Sequence, residues 1–137
     1  MEAYSTTRTG TLAERLAATA GLALALVLLH LPFRHTTRAA RLARRFGRRP
    51  LDAARAEALV EAVRHTARRW PGRAACMETS LGAVLAAALL GRRLEWHLGA
   101  RFAPPPVEYH AWADLPGHGP VGEYTAAGWH HHTALTI

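Results

Sequence analysis

The spacing of apolar residues changes once along this chain, at Gly91, and that change limits the folds open to it. Before Gly91 apolar side chains recur at steps of three and four, the period of an amphipathic helix; after it Leu94, Trp96 and Leu98 alternate with Glu95, His97 and Gly99. Helices followed by strands predict an α+β domain with a small antiparallel sheet, not an alternating βαβ fold.

Start and stop signals divide the two halves further. Thr11 is placed to cap a helix that runs towards Leu31 and stops at Pro32. A basic helix is expected over 36–46, with a modest apolar face of Ala39, Ala40, Leu42, Ala43 and Phe46, ended by Gly47. Asp52 can cap a third helix whose stripe of Leu59, Val63, Ala67 and Trp70 wants a core, closed by Pro71 and Gly72. A fourth is expected from Cys76 to Leu90, with Leu81, Val84, Leu85, Ala88 and Leu89 on its apolar side and Gly91 as a left-handed cap. Beyond the strand at 94–99, a second is expected at 107–115, and Pro116, Gly117 and Gly119 supply a hairpin turn into a third at 120–124. The expected organisation is an N-terminal helical segment, residues 1–50, and a core over residues 51–137.

A chain of 137 residues, half of them hydrophobic, suits one compact domain and one active site. All seventeen basic residues are Arg and the formal net charge is +7, so the surface should attract acidic partners. Nucleic acid is disfavoured, because the Arg-rich stretch from Arg34 to Arg73 has no aromatic interleaving, zinc-finger spacing or RRM-like sequence. The uncharged run from Leu16 to Phe33 falls short of the ~20 apolar residues needed to cross a bilayer and contains Thr19, Gly21 and His30. It reads as a buried or membrane-touching helix, so association of residues 16–33 with a membrane surface stays open. Glu2 and Glu14 argue against a secretory leader. Cys76 is the only cysteine, which excludes an internal disulfide and fits a reducing cytoplasm.

A lone cysteine is most often a small buried hydrophobe, so the case for chemistry rests on its surroundings. Cys76 begins a helix, where unpaired N–H groups stabilise a thiolate. His110, on a downstream strand, is the candidate base, and small Ala111 and Ala113 on the opposite strand face allow the nucleophile helix to pack close. Trp112 shares the His110 face and reads as packing. An acceptor is needed to orient the imidazole. Asp114 lies four residues along the same strand, about 13 Å away at ~3.3 Å per residue, whereas Glu123 comes nearly opposite His110 if the hairpin turns at Pro116 and Gly117. Geometry favours Glu123, with Asp114 as the alternative. His130, His131 and His132 do not make a metal site, because consecutive residues of an extended segment face opposite ways; no metal and no cofactor is expected.

The segment Cys76-Met77-Glu78-Thr79-Ser80-Leu81, then Gly99, His110-Ala111-Trp112 and Gly119-Pro120-Val121-Gly122-Glu123, resembles the leader peptidases of lasso-peptide biosynthesis. Arg68 to Pro71 and the terminal Leu135 to Ile137 are similar to that family too. The resemblance implies a transglutaminase-like cysteine-protease fold, with one nucleophile helix packed on a small antiparallel sheet. It also implies a Cys-His-acid protease that removes the leader from a lasso precursor and works with a small leader-binding recognition-element protein and an ATP-dependent lasso cyclase. Cys76, His110 and Glu123 occupy the matching positions; Glu stands at 123 where the family usually has Asp. The competing function is a non-catalytic basic module that grips an acidic peptide or nucleic acid, with Cys76 merely buried.

Overall fold

The computed structural model describes residues 11–70, 75–102, 108–122 and 130–137, with side chains left aside at 101, 102, 108, 109 and 130. Helix α1, Leu12–Leu28, begins where Thr11 and Glu14 cap one another: the Glu14 N–H donates to Thr11 Oγ1 at 3.1 Å and the Thr11 N–H to Glu14 Oε1 at 2.9 Å. It stops a turn short of the expected Leu31, because the chain tightens through His30 N–H to Val27 O and Leu31 N–H to Leu28 O ahead of Pro32. Pro32 also starts the next helix. Helix α2, Phe33–Phe46, follows it directly, three residues earlier than its apolar face suggested, since proline's fixed φ suits a helix entry.

The cap at Asp52 is present, accepting the Arg55 N–H at 2.8 Å, and opens α3, Ala53–Arg68. Leu59 and Val63 are buried as the stripe required, but Trp70, lying beyond the end of α3, is 46 % exposed. Helix α4, Cys76–Leu89, ends at Gly91 with φ +73°, the left-handed conformation a glycine adopts without strain.

A one-sided apolar face had been expected of α4; instead every residue from Ser80 to Ala87 is buried. A helix that is apolar all round belongs at the centre of a fold, and α4 packs against α1, α2 and α3 as well as against the sheet. Small residues make the α1 crossing close. A Cβ on Gly21 would stand 2.5 Å from Gly82 O and 2.8 Å from Ala86 N, so this position tolerates no side chain without moving backbone. One face of the uncharged run, Ala17, Ala18, Gly21, Leu22, Ala25 and Leu26, is buried, while Leu16, Leu24, Val27 and Leu31 are exposed; among the described residues no helix is long and apolar enough to cross a membrane.

Strands β1, Arg49–Pro50, and β2, Arg92–Arg93, form a short parallel pair that ties the α2–α3 connection to the end of α4. The main sheet holds β3, Glu95–Phe102; β4, Glu108–Leu115; β5, Gly119–Pro120; and β6, His130–Thr136, in the order β5-β4-β3-β6 with antiparallel neighbours. Strand β6 had not been foreseen as a partner of β3. It joins through a bulge between Leu98 and Gly99, where a Cβ on Gly99 would collide with His132 O. Leu94, Trp96, Ala113, Leu115, Val121 and Ile137 enter the same buried cluster as Ala17, Leu22, Leu59, Val63 and Leu81, giving the expected α+β architecture of helices packed on a small antiparallel sheet.

Candidate active site

Cys76 is the first residue of α4. Its N-cap, Ala75, has no side-chain oxygen to occupy the first-turn N–H groups, so the positive end of the helix stays available near the sulfur. Glu78 folds back to accept the Ala75 N–H at 2.9 Å, and the Thr79 hydroxyl donates to Ala75 O at 3.0 Å, which fixes the entry to the helix.

The sheet brings His110 to this point. Strand β4 packs on α4 through buried Ala111 and Ala113, the small residues the sequence offered for that purpose, with His110 just ahead of them on the strand, opposite Gly99 of β3. The His110 imidazole hydrogen-bonds the Cys76 sulfur, and this holds the thiol below its ordinary value. Burial pushes it the other way; the Ala111 N–H, which donates to the sulfur, and the positive field of His110 reinforce the lowering, while Glu78 opposes it. Cys76 is only partly buried, so the sulfur is both stabilised as thiolate and open to approach.

Two clefts meet at this sulfur. One of about 370 Å³ runs between α3, α4 and β4 and carries Arg64, Arg68, Thr79 and Ser80. The other, about 640 Å³, is walled by Phe33, Met77, Leu98, Ala100 and Ala134 and includes His110. Cys76 and Ala111 line both.

Sequence reasoning had not singled out the contact that fastens the head of α4. The Ser80 hydroxyl donates to Cys76 O, and the buried Trp96 indole N–H donates to Ser80 Oγ at 2.9 Å, so a hydrogen-bonded chain runs from the first residue of α4 to β3. The only signal in the sequence was the step of four from Cys76 to Ser80, one helical turn.

The two carboxylates weighed as orienting acids fare differently. Asp114 sits beside His97, with Oδ2 3.3 Å from Nε2, in a group in which Glu95 Oε1 is 3.1 Å from the same nitrogen and Thr133 Oγ1 is 2.9 Å from Nδ1. Burial, first, and the neighbouring Glu95 raise the Asp114 carboxyl above its usual value, against the opposing charge of His97. Glu123 lies outside the described residues; β5 pairs Pro120 with Asp114, and the Val121 N–H donates to Ala113 O at 2.9 Å. Trp112, 1 % exposed, fulfils its packing role by stacking on His110 at 6.0 Å. His131, unremarked in the sequence as a neighbour, lies 5.8 Å from His110 and edge-on to Trp112 at 4.8 Å. Among the described residues no group of three His, Cys, Asp or Glu side chains is placed to share a metal ion.

Comparison with curated proteins and with solved structures returns no match. A family model described as the transglutaminase-like superfamily matches residues 18–135, nearly the whole of α1 through β6, and so covers the helices as well as the sheet. With a cysteine at the head of a central helix and a histidine hydrogen-bonded to it from the sheet, the chain belongs to the transglutaminase-like superfamily, whose members are typically cysteine proteases or transferases.

Proposed function

We propose that this protein is a cysteine endopeptidase that removes the leader from a lasso-peptide precursor, freeing the amino group of the core peptide for macrolactam closure. The observation that carries the reading is the Cys76–His110 hydrogen bond at the junction of two open clefts, with the thiol held below its ordinary value. The finer assignment to leader removal rests on the sequence resemblance through Cys76–Leu81, His110–Trp112 and Gly119–Glu123.

In this reading the Cys76 thiolate attacks the scissile carbonyl and forms a C–S bond. His110, carrying the thiol proton, gives it to the departing amine as the C–N bond breaks. Water then attacks the thioester while His110 takes its proton, and the returned proton regenerates the thiol as the leader carboxylate leaves. Glu123 is our proposal for the acid that orients the ring, because the near oxygen of Asp114 is committed to His97. Leader selection falls to a separate small leader-binding protein, which raises the effective concentration of the scissile bond, and the freed core passes to the cyclase. The reaction takes place in the cytoplasm.

The test is mass spectrometry of a precursor incubated with this protein and the leader-binding protein, run beside Cys76→Ala and His110→Ala. Leader release is expected from the wild-type protein and is expected to vanish in Cys76→Ala. Full release by Cys76→Ala would refute the proposal and favour the basic binding module.

A further inference from the structure

The larger cleft beside Cys76 differs in chemistry from the smaller one. The Arg64 and Arg68 side chains reach the smaller, whereas the larger is walled mainly by Phe33, Met77, Leu98, Ala100 and Ala134, with Glu78, His110 and His132 as its polar lining and no arginine. Its volume, about 640 Å³, falls within the ~300–1,000 Å³ of sites that enclose small organic groups and leaves room for a large side chain beside the peptide backbone. Because Cys76 and His110 are themselves part of its lining, anything seated there is already next to the reacting sulfur.

Phe33 is the unexpected wall. It comes from α2, in the N-terminal helical segment rather than in the stretch that carries Cys76 and His110. One side of its ring packs on Trp96 with centroids 6.3 Å apart, and Trp96 is fixed in turn through Ser80 to the head of α4. Yet Phe33 stays 47 % exposed. A large aromatic anchored on one side and left open on the other, at the lip of an apolar cleft that contains the nucleophile, has the placement of a substrate contact.

We infer that this cleft is a specificity subsite that takes a large aliphatic or aromatic side chain of the peptide substrate, within three residues of the scissile bond, and that Phe33 sets its preference. The inference rests on the peptidase reading above. An extended peptide advances ~3.3 Å per residue, so a side chain three residues from the attacked carbonyl still lies within ~10 Å of Cys76. Apolar recognition of this kind discriminates by roughly 10–200-fold per methylene group in a well-formed pocket, and less in one as open as this.

The experiment uses iodoacetamide and its N-butyl, N-benzyl and N-(2-carboxyethyl) derivatives as probes of the intact chain, with alkylation of Cys76 followed by intact mass. For each protein the rate with a derivative is divided by the rate with iodoacetamide, so changes in thiol reactivity cancel. The wild-type ratio should be about 10-fold or more for butyl and benzyl and below one for carboxyethyl. Phe33→Ala and the cleft-filling Ala134→Trp should each remove most of the apolar advantage, and Phe33→Leu should restore part of it. In the precursor assay, replacing the large apolar residue nearest the cleaved bond by Asp should lower cleavage at least 10-fold. Equal ratios for all derivatives, or an apolar advantage unchanged in both Phe33→Ala and Ala134→Trp, would overturn the inference, as would a cleaved bond with no large apolar residue within three positions. A thiol slow towards iodoacetamide itself would instead overturn the peptidase reading, so the two failures are distinguishable.

Discussion

Replacing Gly21 by Ala adds one methyl group at the close crossing of α1 and α4. The new Cβ would stand 2.5 Å from Gly82 O and 2.8 Å from Ala86 N, both backbone atoms of α4 that no rotamer change can move aside. Helices α1 and α4 must separate, and overpacking of this kind costs about 1–3 kcal/mol; contact with backbone puts it near 3. Alanine's better helix propensity returns about 1 kcal/mol, which leaves a net loss of about 2 kcal/mol. With about 2.1 cal/mol/K of unfolding entropy per residue over 137 residues, Tm should fall by roughly 7 °C. Gly82→Ala provides the internal control. Its Cβ would lie 3.2 Å from Leu22 Cα and from Val63 Cγ1, a contact relieved by small shifts, so overpacking and propensity nearly cancel and Tm should move by less than about 3 °C. Thermal unfolding of the two variants followed by circular dichroism measures both. A Gly21→Ala protein as stable as the wild type, or less affected than Gly82→Ala, would refute the packing of α1 on the nucleophile helix.

Ser80→Ala leaves the buried Trp96 indole N–H without its acceptor and should cost about 1–3 kcal/mol in chemical denaturation; the loosened head of α4 should also slow alkylation of Cys76. Asp114 has its carboxyl raised in the folded protein, so ionisation disfavours the fold: its contribution is favourable below the unfolded-state value and is lost as pH rises through the raised one. Asp114→Asn should therefore gain stability relative to wild type between pH 4 and pH 8, read as a difference in Tm that grows with pH. A difference that shrank over that interval would show that the partnership with His97 outweighs burial.

Much of this fold was legible because its signals are local. Thr11 and Asp52 are polar residues just ahead of helical periodicity, and Gly91 follows the C-cap Leu90; each performs the capping expected of it. What escaped depends on distant partners. The alternation of β6 is blurred by three consecutive histidines and by its own bulge, which leaves Ala134 unpaired between Thr133 and Leu135, so nothing in residues 130–136 announces a strand. Alanines all round α4 hide its central position, because a one-sided apolar face can be drawn through them in several ways. At the site, the Cys76–His110 pair was readable from a helix start and a strand with small neighbours. The Trp96–Ser80 tie and the Phe33 wall were not, since they bring residues from β3 and α2 to α4 across the core. Asp114, set aside in the sequence as four residues from His110 along one strand, has a partner of its own in His97, which no local pattern announced.

The most direct test of the account is the pH dependence of Cys76 alkylation by iodoacetamide, read by intact mass in the wild-type protein and in His110→Ala. A thiolate held by an imidazole should titrate below the ordinary thiol value of about 8.5, keeping the wild-type rate high at neutral pH. In His110→Ala, with the largest stabilising contact gone and burial still opposing the charge, the midpoint should move upward and the neutral-pH rate should drop at least 10-fold. A wild-type midpoint at or above that of a free cysteine, or one unmoved by the loss of His110, would contradict the claim that these two side chains work as a pair.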